Sequence, residues 1–541
     1  MLQLVKQKKA MKESDISLSE KEHVSQAAGQ VGFFTFLSRI LGLVRDIVIA
    51  RFFGTGLAAD AFFVAFRIPN LLRRLFAEGS LTIAFIPIFT EYLTKKTKNE
   101  AFQLARVVLT LLAVVLAIVT LLGILFSPWI VRVQAFGFGG AGMKYELTVL
   151  LTRITFPYIF FISLVALFMG VLNSLRHFSA PAAAPIFLNV GIIASALWIS
   201  PHFSQPVIGV AVGVLIGGLM QLGLQIPWLI KEGVSLTPCW MPDHPAVKRI
   251  GRLMVPAIFG SAIYQFNQFI GTLLASFLPE GSVSWLYYAD RLVQFPLGVF
   301  AIAISTAALP SLSRQAAENN LSAFKDTLEH AICLVMFITI PSIFGLIILG
   351  RPIIEVFFER GAFDTVSTVM TNRALFYYAL GLLAFSGTRV MVSAFYALQD
   401  TKTPVIVAAI ALAANLIFSL ILIGPLKHGG LALALSLAST VQFSLLIFFF
   451  KRRADMLNLK PLIVSAGKCI LAALVMGAGI YWLKHRWGGG FQGAGMGAMA
   501  AELLGFILFG VVIYFLVAGL LGCRELKSFR GILRTVLRKK G

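Results

Sequence analysis

Six arginines lie inside stretches of this sequence that are otherwise apolar enough to cross a membrane. SRILGLVRDIVIAR carries Arg39, Arg45 and Asp46. ADAFFVAFRIPNLLRRLFAEG carries Asp60, Arg67, Arg73, Arg74 and Glu78, and SVSWLYYADRLVQFPLG carries Asp290 and Arg291. A charged side chain at the bilayer centre costs ~2.5–3.5 kcal/mol on insertion scales, so it faces a partner or a wet cavity and is a functional candidate by default. Arg39 and Asp46 stand two helical turns apart and share a face. Asp60, Arg67, Arg74 and Glu78 keep to one side of a helix at about 100° per residue. Pro69 and Pro87 are expected to kink that helix. In the plainer reading the arginines pair with Asp46, Asp60, Glu78 and Asp290 and hold a helix bundle together, while others near helix ends, such as Arg51, snorkel to headgroups. Yet six arginines (39, 45, 67, 73, 74 and 291) face only four carboxylates. Surplus guanidinium in a water-filled cavity suits a phosphate-bearing anion, whose oxygens the planar fork grips in pairs.

The elements that position these side chains are membrane helices. Of 541 residues, 58% are hydrophobic and 13% charged, and the mean hydropathy is +0.86. A soluble core does not grow to that size, whereas blocks of about 20 apolar residues each span a bilayer. Fourteen such segments are expected, near 25–52, 58–92, 101–126, 145–173, 181–200, 207–230, 251–278, 283–312, 327–349, 373–398, 403–424, 429–450, 461–483 and 500–522. The net charge of +22 gathers in alternate connections and in the tails. One set of connections carries Lys95, Lys96 and Lys98, then Arg176, then Lys231, Lys248, Arg249 and Arg252, then Arg314 and Lys325, then Lys402, then Lys451, Arg452, Arg453 and Lys460. The other set includes 52–60, 200–206 and 278–283, which hold no Lys or Arg. The positive-inside rule then puts both termini in the cytoplasm. It also accounts for the basic balance without nucleic acid.

The chain repeats itself. AFIPIFTE around Pro87 is similar to AALPSLSR around Pro310, and NSLRHFSAP ending at Pro181 is similar to YALQDTKTP ending at Pro404; both pairs are 223 residues apart. Six helices fit that period, so the halves share one orientation, and parallel repeats place a transporter's substrate site between them. The expected fold is an all-α integral membrane protein with two six-helix lobes around a central cavity and two extra C-terminal helices. The expected boundaries are a polar tail over 1–24, an N-lobe over 25–231, a cytoplasmic linker over 232–250, a C-lobe over 251–453, the two added helices within 454–523 and a basic cytoplasmic tail over 524–541.

Other chemistries find little support. Gly467-Lys468 is followed by Cys469, so there is no Walker A loop. The glycines at 488–490 and 493–497 follow no strand, as a dinucleotide site would require. Cys239, Cys333, Cys469 and Cys523 are far apart, and His177, His202, His244, His330, His428 and His485 are scattered without metal-ligand spacing. No enzyme activity and no cofactor or metal is expected. Gly209, Gly213 and Gly217 form a small-residue stripe best read as a close helix contact. The segment after the polar N-terminus holds Arg39 and Arg45 and lacks a cleavage site, so a signal peptide is not expected.

SRILGLVRD, ADAFFVAFRIPNLLRRLFAEG, WLYYADRLVQFPLG and LPSLS together resemble the MurJ/MviN family of bacterial lipid II flippases, within the multidrug/oligosaccharidyl-lipid/polysaccharide exporter superfamily. The resemblance covers nearly the whole chain. It implies fourteen helices in two lobes, with 454–523 forming a groove for an undecaprenyl tail. It also implies a cationic central cavity in which Arg39, Arg45 and Arg291 hold a pyrophosphate. Asp46, Asp60, Arg73, Arg74 and Glu78 match further family positions and join the expected substrate-binding set. The implied activity is transfer of lipid II, the undecaprenyl-pyrophosphate-linked disaccharide-peptide, from the cytoplasmic to the periplasmic leaflet by alternating access, in peptidoglycan synthesis. Expected partners are lipid II and membrane lipids, with cell-wall synthesis proteins as candidates, and the expected location is the bacterial inner membrane. Rival readings are a flippase for another polyprenyl-pyrophosphate glycan, a related drug or cation antiporter, and a scaffold for cell-wall enzymes. The chain departs from the family in its polar N-terminal extension and in Gln294, where some relatives carry glutamate. Asn267, Gln268 and Asn415 bring no central carboxylate for a sodium ion.

Overall fold

The computed structural model describes residues 29–74, 81–454, 457–487 and 495–526. Glu78, the tail over 1–24, most of the 488–497 glycines and the basic residues from 527 onward lie outside the described residues. The described residues are mostly helical, with no strand among them.

In chain order the helices are α1 (29–53), α2 (Leu57–Leu72), α3 (Thr82–Lys95), α4 (Lys98–Leu125), α5 (Ser127–Gln134), α6 (Met143–Thr155), α7 (Tyr158–Ser174), α8 (Ser179–Ala194), α9 (Val207–Lys231) and α10 (Pro245–Ser276). There follow α11 (Ser282–Pro296), α12 (Ile302–Ala317), α13 (Leu321–Phe357), α14 (Thr365–Leu380), α15 (Leu382–Ala397), α16 (Lys402–Leu426), α17 (His428–Ala454), α18 (Leu459–Trp487) and α19 (Met496–Leu520). Among the described residues, each expected apolar stretch contains helix, in several cases broken into two. Among the described residues, ten continuous helical stretches are long and apolar enough to cross a membrane, or eleven when α14 and α15, bent by 43° at Gly381, count as one. The chain is a multi-pass membrane protein. The stretches outside that count are polar ones: α1 with Arg39, Arg45, Asp46 and Arg51, the broken α2–α3 segment, and α10 with Lys248, Arg249, Arg252 and Gln265.

Prolines and π turns shape the long helices. α11 and α12 are continuous through a π-helical turn at Leu297–Ala301, directly after Pro296. α8 likewise ends in a π turn at Ser195–Ile199. Such turns re-aim side chains without breaking the helix. α4 starts on a capping box, Thr97 accepting from Glu100 N while the Glu100 side chain returns to Thr97 N.

The chain divides into two compact units. The first comprises Met1–Ile49, Ala61–Gln134 and Gly139–Gln265. Its core joins Phe85 and Phe89 of α3, Leu104 of α4, Leu167 and Leu172 of α7 and Leu229 of α9. α8 and α9 meet through the glycine stripe. A Cβ on Gly213 would stand 2.6 Å from Ser195 Cβ, and one on Gly217 2.9 Å from Leu188 Cα, so only glycine permits the approach. Three connections of this unit gather at one end. Glu232 Oε1 accepts from His177 Nε2 at 2.7 Å, and its Oε2 lies 3.6 Å from Lys98 Nζ.

The second unit comprises Ala50–Asp60, Ala135–Phe138 and Phe266–Gly541. Its core runs through Phe324 and Phe337 of α13, Phe395 of α15, Phe450 of α17 and Cys469 of α18. The C-terminal pair packs on α13, where Tyr514 of α19 donates to Phe337 O at 2.7 Å. Short connections from the first half of the sequence belong to this unit. Leu57 N donates to Glu280, Gly137 N donates to Ser276 Oγ, and Ala362 N donates to Arg51 O.

Candidate functional site

Arg45 is the arginine most deeply held within α1, with 7% of its surface exposed beside Asp46 at 1%. Its Nε and Nη2 donate to Asp46 Oδ1 at 3.0 and 2.7 Å. Its Nη1 donates to Asn189 Oδ1 of α8 at 3.1 Å. Asn189 in turn donates from Nδ2 to Ser38 O at 3.1 Å and to Pro185 O at 3.2 Å. A Cβ on Gly42 would meet this amide at 3.9 Å, ordinary van der Waals contact. One asparagine therefore bridges the guanidinium and the backbone of α1 nearly two turns earlier, next to Arg39. Arg39 itself is exposed, and the carboxylate of Asp46 goes to its neighbour Arg45. Burying this pair is costly unless its remaining donors are satisfied, and Asn189 satisfies one.

On α2, Arg67 is half-buried. Arg73 folds back on the helix, donating from Nε and Nη2 to Asn70 Oδ1 at 2.9 and 2.8 Å, while Arg74 is exposed. Arg45, Asp46, Arg67, Arg73 and Arg74 all belong to the first unit.

Asp60 and Arg291 belong to the second. Asp60 is 1% exposed. Its Oδ2 accepts from Gly281 N at 2.8 Å, and its Oδ1 accepts from Ser284 N at 2.9 Å and Ser284 Oγ at 2.6 Å. Gly281 takes φ +93° at the start of α11 and offers no side-chain cap of its own. Asp60 supplies that cap from a distant part of the sequence, setting a carboxylate against the positive end of the helix dipole. Trp285 locks the same turn, donating from Nε1 to Thr55 Oγ1 at 2.9 Å. Further along α11, Trp285, Tyr288, Ala289 and Leu292 are buried, with Tyr288 set between Phe358 and Phe363. That fixes the helix rotation and leaves Tyr287, Asp290, Arg291 and Gln294 together on a half-buried face. Arg291 lies over the Tyr287 ring at 4.9 Å and donates from Nη2 to its hydroxyl at 2.8 Å. Gln294 Nε2 donates to Asp290 Oδ2.

The sequence reading did not single out Asn189, Tyr287 or Ser284. The signal for Asn189 was a lone amide in the apolar run PAAAPIFLNVGII. Tyr287 could have been found from its place one turn before Arg291. Among the described residues, no group of three His, Cys, Asp or Glu side chains is arranged to hold a metal ion.

An all-helical, multi-pass membrane protein that carries guanidinium groups within its helices, Arg45 among them buried, has the make-up of a polytopic transporter. The family model described as lipid II flippase MurJ matches residues 49–495, and the chain belongs to that family. The "Probable lipid II flippase MurJ" of Vibrio cholerae serotype O1 is 39% identical over 501 residues, covering 91% of this chain and 95% of the relative. The "Lipid II flippase MurJ" of Burkholderia cenocepacia is 36% identical over 489 residues, covering 90% and 94%. A solved lipid II flippase MurJ in an inward closed conformation aligns with TM-score 0.76 and 28% identity over 91% of this chain and 98% of that one. An inward-facing multidrug resistance MATE transporter aligns with TM-score 0.67 over 77% of this chain and 95% of that one; at 15% identity it shows the fold alone.

Proposed function

We propose that this protein is a lipid II flippase that carries the lipid-linked peptidoglycan precursor from the cytoplasmic to the periplasmic leaflet of the bacterial inner membrane. The observation that carries this is the joint match of sequence and fold to lipid II flippases over nine-tenths of the chain. In this reading the chain crosses the membrane fourteen times, in two six-helix lobes around a cavity, with α18 and α19 added as a groove for the lipid tail. The division into two compact units and the 223-residue repeat support it. The gathering of Lys98, His177 and Glu232 at one end of the first unit supports placing both termini in the cytoplasm.

Transport proceeds by alternating access. Arg39, Arg45 and Arg291 take the pyrophosphate, with Arg73 and Arg74 adding positive charge. Asp46 orients Arg45, and Asp60 fixes the start of the helix that carries Arg291. The guanidinium forks suit phosphate oxygens because each can donate two parallel hydrogen bonds. Moving phosphate charge outward is favoured by an inside-negative potential, by ~2.3 kcal/mol per charge per 100 mV. No covalent bond is made or broken in this cycle, so the protein acts as a transporter and not as an enzyme.

The test is replacement of a bacterium's own lipid II flippase by this protein, with lipid II on each leaflet measured after depletion. The wild-type chain restores growth and keeps lipid II from accumulating inside, whereas Arg45→Ala and Arg291→Ala reach the membrane and do neither. Rescue by both variants overturns the site assignment. Accumulation of a different polyprenyl-linked glycan overturns the cargo.

A further inference from the structure

The connection after α9 does not stay clear of the membrane-spanning part of its unit. Arg106 Nε of α4 donates to Thr237 O at 3.0 Å, Cys239 N donates to Thr110 Oγ1 at 2.8 Å, and Gln103 Nε2 approaches Met241 Sδ at 3.6 Å. The segment 235–241, SLTPCWM, therefore meets α4 at Arg106, climbs to Thr110 and comes back down to Gln103. Its apex is Cys239–Trp240. A cavity of about 10 Å³ lies where Ser235 and Leu236 meet α4, α7 and α9.

α4 measures how deep that apex is. Beyond Arg106 its sequence is uncharged and almost wholly apolar to Leu125, a run about 28 Å long at 1.5 Å per residue. That nearly equals the ~30 Å hydrocarbon core, so Arg106 marks one boundary. Thr110 then stands about 6 Å inside it. The side of α4 involved is equally informative. Gln103, Arg106 and Thr110 continue, at steps of three or four residues, into Val114, Ala117, Leu121 and Leu125. Those later residues are exposed, Leu121 by 59% and Leu125 by 62%, as side chains facing lipid are. The segment covers the first turns of a lipid-facing lane. What it presents outward is Trp240, 62% exposed, and Met241, 42% exposed.

We propose that 235–241 is a membrane-dipping wedge whose partner is the phospholipid leaflet at the Lys98 end of α4, with Trp240 and Met241 seated at the boundary between headgroups and acyl chains. Tryptophan favours that boundary because its ring is apolar and its N–H can still reach water or an ester oxygen. Exposed Trp and Met side chains on a short loop give the apolar insertion that interfacial segments use. Lys248 and Arg249, which follow on α10, are exposed and paired with Asp243 at 3.0 Å and Glu91 at 2.8 Å, so the insertion rests on the apolar side chains and not on these cations. The inference rests on the chain spanning a membrane and is independent of its cargo.

The experiment uses the full-length protein in lipid nanodiscs. The emission of Trp240 is taken as the difference between the wild type and Trp240→Phe. It loses most of its intensity to lipids brominated close to the glycerol backbone, less to lipids brominated near the chain end, and little to aqueous iodide. A second reading needs no tryptophan substitution. Cys239 is the only one of the four cysteines that is not buried; a nitroxide on it relaxes faster with dissolved oxygen than with a water-soluble nickel chelate. Quenching of the Trp240 emission by iodide with insensitivity to brominated lipid, or nickel dominating oxygen at Cys239, overturns the proposal and leaves this loop as a surface facing soluble partners.

Discussion

The guanidinium of Arg291 lies 4.9 Å above the ring of Tyr287 and donates to its hydroxyl at 2.8 Å. Two attractions thus act on one cation from a single side chain, one turn earlier on α11. A cation over an aromatic face gains about 0.5–2 kcal/mol depending on desolvation, and a hydrogen bond with a charged partner about 1.5–3 kcal/mol. Tyr287→Phe keeps the ring and loses the hydroxyl, so it should transport more slowly than the wild type but measurably. Tyr287→Ala loses both and should fall by a further factor of about ten, the equivalent of ~1.4 kcal/mol. Flipping rates in proteoliposomes decide it; equal rates for Ala and wild type would mean that Tyr287 does not position Arg291.

Asn189 does the corresponding work for Arg45, and more tightly. Removing its amide takes one acceptor from the buried Arg45 guanidinium and a second donor from Ser38 O. A buried polar group left without its partner costs about 1–3 kcal/mol. Asn189→Ala should therefore lower thermal stability in detergent by about that amount and reduce flipping as well. Asn189→Leu, nearly isosteric but wholly apolar, should be no better. An unchanged melting temperature in both variants contradicts the bridging role.

Asp60 should respond to substitution as a helix cap does. Loss of a capping side chain costs ~0.5–2 kcal/mol, and here the carboxylate serves two backbone donors and a hydroxyl. Asp60→Asn keeps one acceptor oxygen and should retain part of the stability; Asp60→Ala keeps none. The order wild type, Asn, Ala is expected in both thermal unfolding and flipping. A variant set in which Asn is as damaging as Ala would place the importance of Asp60 in its charge and not in the cap.

The sequence carried the arginines plainly, because low dielectric makes charge within an apolar run conspicuous, and their helices are where that logic put them. It placed the apolar stretches but not their ends: α13 runs Leu321–Phe357 where 327–349 is expected, and the stretch expected from 373 begins at Thr365 and breaks at Gly381. It did not carry the partners. Periodicity assigns Arg45 and Asp60 to a helix face but says nothing about which neighbour that face meets, and Asn189 and Ser284 stand 144 and 224 residues away. Asp60 reads as one member of the α2 stripe, yet its carboxylate is spent on α11. The glycine stripe on α9 was legible because only backbone proximity explains it; the dip of 235–241 was not, since a short Pro-containing loop looks alike in water and at a lipid surface.

Acid should act on the first unit through Glu232. Its carboxyl is held below the ordinary carboxylate value chiefly by the hydrogen bond with His177, which outweighs the opposing effect of burial, with smaller help from the charges of His177 and Lys98. A carboxyl whose folded value is depressed contributes stability that is fully present above its unfolded value, about 4.3, and that is lost as the pH falls through the lower folded value. Neutral buffer therefore retains the whole contribution, and acidification below the ordinary carboxylate range removes it. Glu232→Gln should be less stable than the wild type at neutral pH and should approach it as the buffer is acidified. Thermal unfolding of both proteins in detergent across that range measures the difference, and a gap that stays constant with pH would show that the carboxylate charge does not join these three connections.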